Sequence, residues 1–301
     1  MIHHFRVFLI GCVLLVLAAC GVPLTTQGSE NPLVYDASEV ARADTIAVFI
    51  PGALSSVDIF KETKDWVEHG YARALYRYPG FDNLKADHIV SPTKVAEVVA
   101  EFANTHPNKD IALVGYSTGG TIALLAAPQI TEGRDVKIAV MSTAVEFGGG
   151  LPTLWRGLVD IGRAMVATGS LERQVVWKRF WSGLLYGPEA LDDPAFADRV
   201  ERDVKEGEKI IVNLDPSVAL AHTIGLPTFV LPRDLDLGDV PVGFFVGLND
   251  RVFTTAQTQR FSRKIDDVMI YGYPDQGHLL FFTQPEVFDD MRAFLEGRPL
   301  R

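Results

Sequence analysis

Three residues far apart in this 301-residue chain have types that could work as one reacting unit: Ser117, Asp250 and His278. A neutral serine hydroxyl is a poor nucleophile and becomes a useful one only beside a base that takes its proton, with an acid orienting that base. Ser117 stands at the centre of Gly115-Tyr116-Ser117-Thr118-Gly119, a G-x-S-x-G pentapeptide. Chance alone produces such a pentapeptide in roughly one chain in ten of this length, so its setting has to carry the argument. His278, in Asp275-Gln276-Gly277-His278, offers an imidazole that can accept and return a proton near neutral pH. His222 is its rival, and Glu146 and Asp275 compete with Asp250 for the role of acid. The chemistry such a set performs is acyl transfer through a covalent serine intermediate.

The setting is a strand, a sharp turn and a helix. Ile111-Ala112-Leu113-Val114 is a continuous apolar run of the kind that fills a buried parallel strand. Gly120 to Ala126 are small or helix-favouring, and the glycines let the helix approach the strand closely. Around this elbow, apolar strands alternate with helical patterns. Strands are expected at Thr45–Ile50, Arg73–Tyr78, Val136–Ser142, Val242–Gly247 and Val268–Tyr273, and helices at Val57–His69, Pro92–Thr105, Thr255–Ile265 and Pro285–Glu296. Such alternation predicts a mostly parallel sheet covered by helices. It lapses between Val145 and Leu226, where helical patterns follow one another without a sheet strand.

With Ser117, Asp250 and His278 in that chain order, and with about eighty residues inserted after the strand that follows the elbow, the sequence from Asp44 to Leu300 resembles the α/β-hydrolase superfamily. The resemblance implies a sheet core at residues 44–144 and 227–301 and an inserted helical cap at residues 145–226. It also implies that Asp250 and His278 sit on loops after sheet strands beside Ser117. The oxyanion formed on attack would then be met by the backbone amides of Thr118 and Ala53. Many relatives carry His-Gly before the second donor. This chain has Pro51-Gly52, which keeps the Ala53 amide but lacks the hydrogen bonds that the histidine supplies. The implied catalysis needs no cofactor. An ester is the expected substrate, although an aminopeptidase, a thioesterase, a haloperoxidase or a non-catalytic envelope binding protein could share the same scaffold.

The N-terminus carries a different resemblance. Arg6 precedes an apolar run from Val7 to Ala19 that is too short to span a bilayer, as in a secretory leader. The run ends in Leu17-Ala18-Ala19-Cys20, which resembles the lipobox of bacterial lipoproteins. That implies a leader at residues 1–19 and a diacylglycerol on the Cys20 thiol as the membrane partner. It places the protein in the cell envelope, with the outer membrane favoured in a two-membrane bacterium because Gly21 follows. Residues 20–43 read as a tether of roughly 25 Å if flexible. Cys12 leaves with the leader, so no disulfide is expected and the core must hold the fold.

A chain with 48% hydrophobic residues can build such a core. A formal net charge of −10 without a basic cluster argues against nucleic acid as a partner. No metal-ligand spacing stands out, and Gly148-Gly149-Gly150 lacks the residues of a phosphate loop and reads as a hinge. In the insertion, Leu154, Leu158, Ile161 and Met165 recur at helical spacing, widened by Trp155, Val159 and Val166. Trp177, Phe180, Trp181, Leu184 and Leu185 form a second stripe. These faces either pack against the sheet domain or roof an apolar acyl pocket. With a membrane anchor, lysophospholipids, monoacylglycerols or medium-chain esters are the expected substrates.

Overall fold

The computed structural model describes residues 25–143, 159, 162–170, 172–187, 193–207, 216–224, 229, 231–232 and 234–300. Its spine is a seven-stranded sheet in the order β1-β3-β2-β4-β5-β6-β7. The strands are β1 (Leu33–Tyr35), β2 (Thr45–Ile50), β3 (Tyr71–Tyr76), β4 (Asp110–Tyr116), β5 (Val136–Met141), β6 (Val242–Gly247) and β7 (Val268–Tyr273). All neighbours pair in parallel except β1, which runs antiparallel to β3.

Strand geometry sends alternate side chains to opposite faces, and the apolar runs use both. Ile46, Val48 and Ile50 of β2 and Ile111 and Leu113 of β4 join one core. It is closed by the helices Pro92–Asn104, Thr118–Ala126 and Thr255–Ser262. Ala47 and Phe49 of β2 and Ala112, Val114 and Tyr116 of β4 face the other core, beneath the helical segments Val57–His69 and Val287–Leu295. Each fully buried Ile, Val or Phe contributes about 1.5–3 kcal/mol. This explains why an unbroken apolar hexamer becomes a central strand rather than a half-exposed one.

The functional consequence lies in the strand order. From β2 the chain moves to β3 on one side, and from β4 to β5 on the other, so β2 and β4 are neighbours whose connections diverge. Beyond the carboxyl ends of two such strands an α/β sheet leaves a crevice. The loop starting at Pro51 and the turn at Ser117 form its two lips.

Several expectations need correction. Residues 20–43 are not a tether throughout. Leu33–Tyr35 pairs with β3, and Ala37–Arg42 is a helix capped by the Asp36 carboxylate. Leu33 and Val40 are buried in the core, and a three-residue strand is too short to show alternation in sequence. The third strand lies two residues earlier than expected, and Val57–His69 is a 3-10 helix with a break at Phe60. Among the described residues, no helix is long and apolar enough to cross a membrane. Cys20 and the leader lie outside the described residues.

Between β5 and β6 the described residues form the helices Arg173–Tyr186, Ala197–Gly207 and Pro216–Thr223, and residues 162–168 are helical. Leu185 and Tyr186 are fully buried in the second core, whereas Met165 and Val166 are exposed rather than packed on the sheet. Leu154, Trp155, Leu158, Ile161, Glu146 and Gly148 to Gly150 lie outside the described residues.

Candidate active site

The turn at Ser117 joins β4 directly to the helix Thr118–Ala126. Ser117 has φ 52° and ψ −119°, a conformation that a side-chain-bearing residue adopts only when its surroundings enforce it. The enforcing contacts are on both sides. The Ser117 amide donates to Met141 O at 2.9 Å, and the Gly120 amide donates to Ser117 O at 3.1 Å. A Cβ at Gly119 would lie 2.0 Å from Ile50 O, so the elbow helix touches the backbone at the end of β2. The result projects the Ser117 hydroxyl into the crevice, with the residue 8% exposed.

His278 follows β7 on a loop that bends back over the sheet edge. Its Nε2 is 3.2 Å from Ser117 Oγ, and its Nδ1 is 2.9 Å from Asp250 Oδ2. Asp250 follows β6 and is 3% exposed. Its other oxygen, Oδ1, accepts from the amides of Val252 at 2.7 Å and Phe253 at 3.0 Å. Two backbone donors and one imidazole therefore satisfy a buried carboxylate and fix its plane. A carboxylate facing Nδ1 places the imidazole proton there and leaves the Nε2 lone pair towards the serine hydroxyl. The ring is held between Tyr116 and Phe253, with centroids 5.4 and 5.5 Å away. Burial first, and the Asp250 carboxylate second, hold the Tyr116 phenol well above its ordinary pKa of 10.0, so it stays neutral.

The structure therefore gathers Ser117, His278 and Asp250 from three widely separated loops. The rivals fall elsewhere. Asp275 is exposed, with φ 58°, and Glu146 lies outside the described residues. His222 is fully buried with both nitrogens engaged: the Leu54 amide donates to Nδ1 at 3.1 Å, and Nε2 donates to Pro79 O at 3.0 Å. Desolvation by burial lowers its pKa to about 4.

The expected oxyanion donors, Thr118 and Ala53, lie next to Ser117 in the chain and in the facing loop, respectively. Thr118 opens the elbow helix, where amide groups lack intrahelical partners. On the opposite lip, a Cβ at Gly52 would lie 2.9 Å from the Tyr116 ring and 3.0 Å from Ser117 Cβ, so the Pro51-Gly52-Ala53 loop rests directly on the elbow. Among the described residues, neither the Thr118 nor the Ala53 amide donates a backbone hydrogen bond to the protein.

Sequence reasoning missed what holds the His278 and Asp250 loops. The Gly277 amide donates to Leu185 O at 2.8 Å and the His278 amide to Leu184 O at 2.7 Å, both at the end of the inserted helix Arg173–Tyr186. Asn249 Nδ2 donates to Tyr186 O at 3.1 Å. The last carbonyls of a helix lack intrahelical partners, and here the loops of Asn249 and His278 supply them. Asn249 beside Asp250 was the only signal available, since backbone carbonyls carry no residue signature.

Beside His278 opens a cavity of about 120 Å³. Phe180, Leu184 and Val252 give it apolar wall, and Arg163, Arg179 and Arg251 also line it. Among the described residues, no group of three or more His, Cys, Asp or Glu side chains is placed to hold a metal ion.

The sequence matches a family model described as the alpha/beta hydrolase family over residues 47–291. No curated protein matches it. Solved structures with similar architecture include a thermophilic esterase from Thermogutta terrifontis, with a TM-score of 0.64, 16% identity and coverage of 91% of this chain and 98% of that one. The enol-lactonase from Burkholderia xenovorans LB400 gives 0.63 and 14%, covering 88% of this chain and 94% of that one. MenH from S. aureus gives 0.62 and 18%, covering 89% and 99% respectively. Similarity at such low identity is a likeness of fold.

Proposed function

The chain belongs to the alpha/beta hydrolase family, and from that premise we propose that it is a serine hydrolase cleaving carboxylic esters through an acyl-enzyme on Ser117. The observation that carries the reading is the unbroken hydrogen-bonded path from Ser117 Oγ through His278 to the buried Asp250 carboxylate. In the first half-reaction His278 Nε2 takes the hydroxyl proton as Oγ attacks the acyl carbonyl. Asp250 holds the imidazolium that forms. The carbonyl oxygen gains negative charge between the Ala53 and Thr118 amides, a site where one lost donor costs roughly 100- to 1000-fold in rate. His278 then protonates the departing alkoxide. In the second half-reaction it deprotonates a water that attacks the acyl carbon, which frees Ser117 and releases the acid.

For the substrate we favour an acyl ester whose chain lies against Phe180, Leu184 and Val252. Lysophospholipids, monoacylglycerols and medium-chain esters all carry such a chain. The inserted segment acts as the cap over this cavity. We place the enzyme in the bacterial cell envelope, held by acyl chains on Cys20, on the support of the Leu17-Ala18-Ala19-Cys20 motif. Two or more chains give stable attachment.

The reading is tested by p-nitrophenyl butyrate turnover in the wild type and Ser117→Ala. The variant should lose at least roughly a thousandfold in kcat while remaining folded. Wild-type turnover retained in the variant refutes the role of Ser117.

A further inference from the structure

The Pro51-Gly52 sequence lacks the histidine that many relatives place before the oxyanion loop, and this loop is held from outside instead. Ala53 sits between two braces. On one side the Tyr78 hydroxyl, fully buried, donates to Pro51 O at 3.1 Å. On the other the Leu54 amide donates to His222 Nδ1 at 3.1 Å. Nothing local to the loop supplies either partner. Tyr78 lies just past β3, and His222 lies on the helix Pro216–Thr223 of the inserted segment, 168 residues along the chain from Leu54.

The braces are themselves locked. Leu54 N–H can only donate and Pro79 O can only accept, so His222 is the neutral tautomer with its proton on Nε2. Its ring packs edge-on against Tyr78 and Phe81, with centroids 5.3 and 5.1 Å away. The helix that carries it is tied down independently, by the Val90 amide donating to Ala221 O at 3.0 Å and by Val218 filling the space above Gly80. Burial keeps the imidazole uncharged near neutral pH, and so keeps its Nδ1 lone pair available to Leu54.

We propose that His222, with Tyr78, is a positioning residue of the oxyanion site: by gripping Leu54 N–H and Pro51 O it fixes the plane of the intervening Ala53 amide, so the inserted segment completes the transition-state site. The proposal rests on reading Ala53 as an oxyanion donor to an acyl-enzyme on Ser117. A donor plane set before reaction stabilises charge that develops only in the transition state. Loosening it therefore lowers kcat and leaves KM nearly unchanged.

The test uses the full-length protein. His222→Phe keeps an aromatic ring but leaves Leu54 N–H without its acceptor, His222→Gln restores an acceptor and a donor, and Tyr78→Phe deletes a single hydroxyl. Each is assayed for p-nitrophenyl butyrate turnover and for inhibition by an arylboronic acid, which forms a tetrahedral adduct on the serine. His222→Phe should lower kcat roughly 10- to 100-fold with KM within about threefold, and weaken boronate inhibition by a similar factor. His222→Gln should recover most of both, and Tyr78→Phe should show a smaller loss of the same kind. A purely structural role would lower the unfolding midpoint without changing boronate affinity per folded molecule. Folded His222→Phe with kcat and boronate inhibition within about twofold of wild type overturns the proposal, as does the same outcome for Tyr78→Phe should His222→Phe fail to fold. Absence of ester turnover in the wild type refutes the esterase reading instead, before any variant is compared.

Discussion

At the scale of single residues, the site sets charge and conformation by burial. Asp250 is held by the Val252 and Phe253 amides as well as by His278. Asp250→Asn keeps an acceptor for the amides but presents an amide group to Nδ1, which favours the wrong imidazole tautomer. We expect kcat for p-nitrophenyl butyrate to fall roughly 1,000- to 10,000-fold with the unfolding midpoint little changed. Ser117 carries backbone strain of about 1–3 kcal/mol at φ 52°. Ser117→Gly should relieve it, giving an inactive protein about 1 kcal/mol or more stable than Ser117→Ala in urea unfolding. His222 sets a pH dependence of stability. Desolvation first, and the nearby charge of His88 to a lesser degree, lower its folded pKa to about 4 from 6.5, while the bond to Pro79 O opposes them. The unfolded chain binds the proton more readily, so the contribution is complete above pH 6.5. It drains at up to roughly 1.4 kcal/mol per pH unit as the pH falls towards 4. Urea midpoints across pH 4–7 should show that slope in the wild type and a shallower one in His222→Phe.

At the scale of elements, the elbow was legible because its signals agree: an unbroken apolar run, small residues at the turn and a helix-favouring run after it. The central strands were legible for the same reason, since burial on both faces leaves continuous Val, Ile, Leu and Phe. β1 was not, because three residues show no periodicity and Leu33 gains its burial from a partner strand more than forty residues on. The ties from Leu184 and Leu185 to the His278 loop were invisible, since any residue type offers the same carbonyl. His222 was seen only as an alternative base, because its type suggested proton transfer while its place in the fold was unknown. Packing at the elbow also makes a prediction. Gly119→Ala puts a methyl group 2.0 Å from Ile50 O, whereas a methyl group on the helical Gly162 meets nothing within 4 Å among the described residues. Gly119→Ala should cost several kcal/mol in urea unfolding or abolish soluble protein, and Gly162→Ala should stabilise by up to about 1 kcal/mol.

At the scale of the whole molecule, described helices of the inserted segment are hydrogen-bonded to the loops that carry the proposed site. One helix end accepts from Gly277, His278 and Asn249 through the carbonyls of Leu184, Leu185 and Tyr186, and a second helix reaches the Pro51–Leu54 loop through His222. The sheet supplies the switch-point crevice between β2 and β4. The anchoring proposal belongs to this scale too. Expressed in a bacterium, the wild type should partition with membranes and incorporate labelled palmitate, and Cys20→Ser should lose the label. Palmitate labelling unchanged in Cys20→Ser would refute the anchor. The most direct test of the central claim is mass-spectrometric mapping of the adduct left by a fluorophosphonate on the folded wild-type protein. The account predicts one phosphonyl group per chain, on the peptide containing Ser117, and strong suppression of that labelling in His278→Ala. A folded wild type that stays unmodified, or an adduct mapped to another residue, contradicts it.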